Sequence, residues 1–238
     1  QLRHRKHQLR HRKHQLRQRL RRRPRHGQPA MTRPEMRRIG ILGGMSWEST
    51  AEYYRLANES VKARLGGLHS ADLALVSVDF APIEELQIAG AWEELGAMLA
   101  AEAQRLEQAG AGIVVLATNT MHKVAPAIET AIGIPLLHIA DAAAAAAKAA
   151  GIRIVGLLGT AYTMEQEFYR DRLAANGLTV LIPDVDDRDL VHRVIFEELV
   201  RGIVRDDSRA AFEVIISRLV AAGAQGIVLG CTEIELLL

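Results

Sequence analysis

The chain contains little cysteine and few aromatic residues. Of its 238 residues, one is cysteine and 4% are Phe, Trp or Tyr. A lone cysteine excludes an intrachain disulfide, which favours a reducing compartment and predicts a cytoplasmic protein. No apolar run approaches the length of a membrane span, and the amino-terminal segment has no apolar core of a secretory signal. We therefore expect neither membrane association nor secretion.

Basic residues are concentrated at the amino terminus. Residues 1–30 contain twelve of the thirty Lys and Arg residues and none of the 28 acids, which leaves 18 bases against 28 acids in the rest. A heptad, QLRHRKH, occurs at 1–7 and again at 8–14. Such like-charged repeats bury no core, so residues 1–35 are predicted to be a disordered basic tail. An RNA-binding or targeting arm is the alternative, although the acidic remainder does not indicate nucleic-acid binding.

From residue 38 onward, continuous apolar runs alternate with helical patterns. This alternation predicts an α/β fold with a mostly parallel sheet covered by helices on both faces. An alanine-rich helix divides the chain into two lobes, residues 36–140 and 141–238. Thr163 with Gln166 predicts a capping box, and Asn176-Gly177 predicts a helix end. The predicted strands are 39–43, 73–78, 112–117, 134–139, 152–158, 179–183 and 226–230. The predicted helices are 49–65, 92–109, 141–150, 164–176, 189–201 and 208–222.

Two phrases occur twice in the chain. Residues 109–118 read AGAGIVVLAT and residues 222–231 read AGAQGIVLGC, so that Thr118 aligns with Cys231 without a gap. Likewise, IGILG at 39–43 resembles VGLLG at 155–159. The repetition predicts two pseudo-symmetric lobes, each a mostly parallel sheet flanked by helices, that place these two side chains across one inter-lobe cleft. By the same symmetry, we expect the second lobe to lack a final helix and strand.

Small polar turns follow three of the predicted strands, at 43–46, 118–120 and 231–233. Backbone N–H groups and the helix dipole converge at such turns and bind small anions. A carboxylate is the expected ligand because the chain has no phosphate-binding Gly-x-x-x-x-Gly-Lys loop. Each turn alone could simply cap a helix, and Ser46 is the candidate cap in the first. Because all three turns come together in the predicted topology, we expect them to form one carboxylate-binding site.

Cys231 is either a small buried apolar residue or a general base. At a strand-to-helix turn, we expect partial positive charge to lower the pKa of its thiol. The hydroxyl of Thr118 is a poorer base and more often a hydrogen-bond donor. His122 and Lys123 either supply positive charge or lie on the solvated face. Glu233 either orients a ligand ammonium or is an ordinary acid in the first turn of a helix.

Five motifs closely resemble the aspartate/glutamate racemase family, in particular its broad-specificity amino-acid racemase subgroup. They are IGILGGMSWEST at 39–50, LGGLHSA at 65–71, ATNTMHK at 117–123, YTMEQ at 162–166 and GCTE at 230–233. The resemblance covers residues 36–238. It implies a homodimeric enzyme without pyridoxal phosphate, other cofactors or metal, which interconverts L- and D-amino acids by removing a proton from Cα on one face and returning one on the other. It makes Thr118 and Cys231 the catalytic pair. The substrate-binding residues are Met45, Gln87, Asn119, Thr120 and Met121, joined by Thr232 and Glu233 of the third turn.

Several features qualify this resemblance. Many members of the family use two cysteines, whereas the subgroup has threonine at the position of Thr118. Because a hydroxyl is a poorer base than a thiol, we expect the enantiomer whose Cα–H faces Cys231 to react faster. The resemblance implies that this is the L form. Some aspartate-specific relatives bind the side-chain carboxylate of the substrate through a basic residue in the loop that corresponds to residues 184–192. This chain has Arg188 and His192 there. Pro126 requires the helix after Thr120 to kink or restart. A hydantoin racemase or maleate isomerase, or an inactive, binding-only fragment, are the alternatives.

Overall fold

The computed structural model describes residues 36–238, so the predictions for the basic tail lie outside the described residues. Two separate parallel sheets alternate with helices along these residues. The strands are β1 Ile39–Gly43, β2 Leu73–Ser77, β3 Ile113–Leu116, β4 Leu136–Leu137, β5 Ile154–Leu158, β6 Thr179–Leu181 and β7 Gly226–Leu229. The helices are α1 Trp47–Leu65, α2 Phe80–Ile88, α3 Trp92–Gln108, α4 Ala125–Ala131, α5 Ile139–Ala149, α6 Ala161–Glu165, α7 Glu167–Ala175, α8 Val185–Glu197, α9 Asp206–Ala221 and α10 Ile234–Leu237. Short 3-10 turns span Thr120–Val124 and Leu199–Arg201.

The three strands of the second sheet follow the same order as the first three of the four-stranded sheet. The first is β2-β1-β3-β4 and the second is β6-β5-β7, with all pairings parallel. Ile39 pairs with Ile113 in the first sheet, and Val155 pairs with Gly226 in the second. These are the positions that the duplicated phrases align, so the internal repetition holds to the level of strand register. The predicted α/β fold with two parallel sheets is confirmed.

Each sheet has its own apolar core. Leu42, Leu99 and Val114 are fully buried in the first, and Leu157 and Phe212 in the second. The alanine-rich helix α5 packs against the second core. Complete burial of one such side chain stabilises the fold by roughly 2 kcal/mol. Because each sheet is packed around its own core, the carboxyl ends of the strands of both sheets remain available to line a shared cleft.

The predicted helix 164–176 is two helices. Gln166 has extended backbone (ψ 149°), and it separates α6 from α7. The predicted capping box is wrong: Thr160 caps α6, and its hydroxyl accepts from the backbone N–H of Thr163, which lies buried inside the helix. The predicted end at Asn176 is confirmed, with Gly177 in a left-handed conformation (φ 83°) that glycine adopts freely.

Three local differences occur near the site. Helix α2 was not predicted, although Asp79 caps it and Pro82 lies in its first turn, where a missing N–H costs nothing. The predicted strand 134–139 shortens to β4 because His138 is the N-cap of α5. The restart at Pro126 is confirmed, since α4 begins beside it after a 3-10 turn.

None of the helices within residues 36–238 combines the length and the apolar character needed to cross a bilayer.

Candidate active site

One cavity of about 370 Å³ lies where the loops after β1, β3, β5 and β7 meet. Loops from both sheets line it, as the predicted inter-lobe cleft requires. Thr118 follows β3 and Cys231 follows β7, and both residues line this same cavity. So do all the residues predicted to bind substrate: Met45, Gln87, Asn119, Thr120, Met121, Thr232 and Glu233. The lining also includes residues that the sequence analysis did not identify as site residues, among them Tyr53, Glu84, Thr160 and Arg201.

The turn after β1 depends on a glycine. Gly44 has φ 96°, and a Cβ atom there would collide with the backbone of Val78. Its N–H donates to the Thr50 hydroxyl at 2.8 Å, which closes the turn against α1. The tight turn places Met45 and Ser46 on the cavity wall, and Ser46 is the N-cap of α1, as predicted.

Glu233 is the centre of a hydrogen-bond network in the cavity. Its Oε1 accepts from the Ser46 hydroxyl at 2.7 Å. Its Oε2 accepts from the Cys231 thiol at 2.9 Å and from the Thr232 hydroxyl at 3.1 Å. The carboxylate therefore bonds to the Cys231 thiol through one oxygen and to Ser46, in the turn after β1, through the other.

The pKa of the Cys231 thiol is raised well above its ordinary value, first by burial and then by the negative charge of Glu233. The prediction of a lowered pKa is wrong. Helix α10 is a single four-residue turn, whose dipole is weak beside a carboxylate 2.9 Å away. Cys231 is therefore a protonated thiol that donates to the Glu233 carboxylate.

His122 is neither a positive charge nor a solvated residue, which corrects both interpretations of it. Its side chain is 1% exposed, and its Nδ1 lies 2.7 Å from the carbonyl oxygen of Thr118. Burial, and then the neighbouring His138, lower its pKa to about 3. The ring of His122 is therefore neutral and contacts the loop that holds Thr118.

Lys123 is partly buried, and its Nζ lies 3.8 Å from the ring centroid of Trp92, which is a cation–π contact.

A second polar contact joins the loops of the two sheets. The hydroxyls of Thr120 and Thr160 lie 3.3 Å apart, and Thr160 also contacts the hydroxyl of Thr163 at 3.2 Å. Thr120 follows β3, whereas Thr160 follows β5. Together with the contact between Ser46 and Glu233, this pair fixes the width of the cleft at two points.

One buried polar atom at the cavity lacks a partner. The Oδ1 of Asn119 is buried and accepts no hydrogen bond within residues 36–238, although the residue lines the cavity and is only 9% exposed. An unpaired buried acceptor costs about 1–3 kcal/mol, which a ligand donor at this position would recover. Asn119 is therefore poised for a bound molecule.

The charges around the cavity are mixed. Among the lining residues that the structure describes, Arg201 is the single cation, and the acids are Glu48, Glu84 and Glu233. Neither basic residue of the 184–192 segment reaches the cavity lining. Arg188 pairs with Glu165 at 2.9 Å, and His192 accepts from the N–H of Ala161. The 3-10 turn after α8, rather than α8 itself, supplies the cation. No group of three or more His, Cys, Asp and Glu side chains within residues 36–238 is arranged to hold a metal ion.

Comparison with known proteins agrees with this architecture. The family described as Asp/Glu/Hydantoin racemase matches residues 42–238. The crystal structure of a provisionally assigned Asp/Glu racemase from Yersinia pestis is 55% identical, with a TM-score of 0.81 over 85% of this chain and 89% of that one. An aspartate racemase homologue from Pyrococcus horikoshii is 34% identical, with a TM-score of 0.73 over 84% and 88% of the two chains. Glutamate racemase from Francisella tularensis, at 15% identity and a TM-score of 0.58 over 84% and 70%, shares the fold. The two parallel sheets, the cleft between them and the family match together place this chain in the Asp/Glu/hydantoin racemase family.

Proposed function

We propose that the protein is a cofactor-independent amino-acid racemase that interconverts L and D enantiomers, of aspartate and glutamate or more broadly, by two-base proton transfer at Cα. Thr118 and Cys231 are the catalytic pair. The observation that supports this proposal is that both line one cavity from equivalent strand ends, after β3 and after β7. In the proposed mechanism these two groups act on opposite faces of one tetrahedral carbon.

The Cys231 thiol must lose its proton before it can accept one from Cα. Its partner Glu233 provides the route: the proton moves from Sγ to Oε2, and the negative charge of the pair moves from the carboxylate to the sulfur. The thiolate then takes the Cα proton while the Cα–H bond breaks, and the electron pair stays on the carbanion. The Thr118 hydroxyl delivers a proton to the opposite face and becomes an alkoxide. Glu233 then releases its proton to solvent and solvent reprotonates the Thr118 oxygen, which restores the thiol, the carboxylate and the hydroxyl. The reverse direction runs the same transfers backward.

The carbanion is a high-energy species, so its neighbours must stabilise charge at Cα. In this proposal the α-carboxylate binds at the turns after β1 and β3, because residues of both turns line the cavity and a strand-to-helix turn offers backbone N–H donors to an anion. The unpaired Oδ1 of Asn119 offers an acceptor to the α-ammonium. The remaining substrate contacts in this proposal are those of Met45, Gln87, Thr120, Met121 and Thr232.

Arg201 supports an acidic side chain on the substrate. It is the lining cation among the described residues, and a guanidinium binds a carboxylate through two parallel hydrogen bonds. A homodimer, a cytoplasmic location and a division into lobes 36–140 and 141–238 complete the proposal; family membership and the lone cysteine support these features.

The direct test incubates the purified protein in deuterium oxide with each pure enantiomer of aspartate, of glutamate and of a 5-substituted hydantoin. Chiral chromatography follows inversion, and mass spectrometry follows deuterium at Cα. We expect both signals from the amino acids. The variant Cys231→Ala should show no inversion of either enantiomer, because inversion needs both members of the pair. Cα exchange only in the hydantoin would favour the alternative substrate. A rise in melting temperature with aspartate but no exchange would identify a binding protein and overturn the proposal.

A further inference from the structure

Both ring nitrogens of His122 are bonded to backbone atoms. The N–H of Ile139 donates to Nε2 at 3.1 Å, so Nε2 is the acceptor. In a neutral imidazole the other nitrogen then carries the hydrogen, so Nδ1 donates to the carbonyl oxygen of Thr118 at 2.7 Å. The partners thereby assign the tautomer.

These two bonds connect the loop of Thr118 to a rigid part of the molecule. Ile139 begins α5, and the next residues of that helix, Ala140 and Ala144, are fully buried in the second core. The ring of His138 packs against His122 at a centroid distance of 4.3 Å and caps the same helix through the N–H of Ala140. His122 is therefore held on one side by a helix start and holds the Thr118 backbone on the other.

We propose that His122 is a positioning residue for the proton-transfer reaction: by fixing the backbone of Thr118, it aims the Thr118 hydroxyl at the substrate carbon. This inference rests on the proposed racemase function and assigns a role to a residue outside the cavity lining. A hydroxyl is a weak acid, so its proton transfer depends strongly on distance and angle, and a displacement of about 1 Å can cost about 100-fold in rate.

Two conservative substitutions separate the two bonds. His122→Asn places an amide nitrogen near the position of Nδ1, which keeps a donor for the Thr118 carbonyl and loses the acceptor for Ile139. His122→Gln places its amide oxygen near the position of Nε2, which keeps that acceptor and loses the donor to Thr118. His138→Asn is the matched control, because it removes the adjoining buried histidine and retains a good helix cap.

The readout is the ratio of deuterium exchange to inversion for each enantiomer in deuterium oxide. When Cα–H faces Cys231, the thiolate forms the carbanion, which either returns to the starting enantiomer or is inverted by Thr118. A misplaced Thr118 favours return, so exchange without inversion increases for that enantiomer. When Cα–H faces Thr118, the first step itself is slowed, and exchange and inversion fall together. A general loss of folded protein lowers both signals equally and leaves both ratios unchanged.

We expect His122→Gln to lower kcat by about 100-fold. We also expect it to raise the ratio for the enantiomer that faces Cys231 and to change KM little. His122→Asn and His138→Asn should keep the wild-type ratios, with melting temperatures of all three variants measured alongside. Unchanged ratios in His122→Gln, or the same change in His138→Asn, would overturn the inference while the racemase proposal stands. An absence of Cα exchange in the unsubstituted protein would overturn the proposed function itself and with it this role.

Discussion

The Ser46 hydroxyl donates to Oε1 of Glu233 at 2.7 Å, across 187 positions of sequence. The first residue follows β1 and the second follows β7, so the bond joins the two sheets at the cavity. The other oxygen of Glu233 accepts from the thiol of Cys231, the proposed base. Ser46 therefore orients Glu233 without contacting the sulfur itself.

Substitution of Ser46 tests this connection. Ser46→Ala removes both a hydrogen bond to a carboxylate and the cap of α1, and we expect it to lower the free energy of unfolding by about 2 kcal/mol. Ser46→Thr retains the hydroxyl and should remain close to wild type. Urea denaturation measures the stability, and kinetics of the same variants measure turnover. Equal stability of the alanine and threonine variants would show that the bond contributes nothing.

Replacement of Glu233 should change thiol reactivity and turnover in opposite directions. Burial and the carboxylate both raise the pKa of Cys231, so Glu233→Gln removes the second cause and lowers this pKa. Alkylation by iodoacetamide should become faster near neutral pH, and the assignment is unambiguous because the chain has one cysteine. Turnover should fall because the acceptor of the thiol proton is lost. Glu235→Gln is the control, since Glu235 is exposed and makes no bond to the thiol. If alkylation and turnover rise together, Glu233 is not the proton acceptor.

Arg201 should discriminate between substrates by charge. We expect Arg201→Gln to raise KM for aspartate by about tenfold or more, since a charge-assisted hydrogen bond contributes about 1.5–3 kcal/mol. KM for asparagine, which has the same shape without the charge, should change little. Steady-state kinetics with both amino acids, beside the control Arg188→Gln, measures the effect. Equal changes for the two substrates would assign Arg201 a structural role.

The buried histidine pair should make the fold sensitive to acid. The pKa of His122 is lowered to about 3 and that of His138 to about 4, both first by burial, from an ordinary value of 6.5. The unfolded chain therefore binds more protons in this range, so the stability present above pH 6.5 is lost as the pH falls toward these values. Each histidine contributes about 1.4 kcal/mol per pH unit at most. Arg172 and Asp141 also face the pair.

The measurement for the histidine pair is the free energy of unfolding as a function of pH. His138→Asn should flatten its decline between pH 6.5 and about 4, because one of the two titrating groups is gone. His69→Asn is the control, because His69 is an exposed histidine. A slope that His138→Asn leaves unchanged would contradict this account.

Local pattern was sufficient for most of the elements. Continuous apolar runs located all seven strands within a few residues, because a strand covered on both faces must be apolar throughout. The helices were harder. Thr163 followed by Gln166 has the spacing of a capping box, yet Thr160 is the residue that caps the helix start. The short helix α2 escaped prediction because its signals, Asp79 and Pro82, are also those of a turn.

The sequence alone determined the two-sheet architecture and the equivalent positions of Thr118 and Cys231, because a repeated phrase folds twice into the same strand and turn. It also supplied nine of the residues that line the cavity, although their roles stay proposals. Only the tertiary structure decided the protonation of Cys231, the partners of His122 and the place of Arg201 at the cavity. These depend on burial and on distances between segments far apart in the chain, and neither quantity is encoded in local spacing.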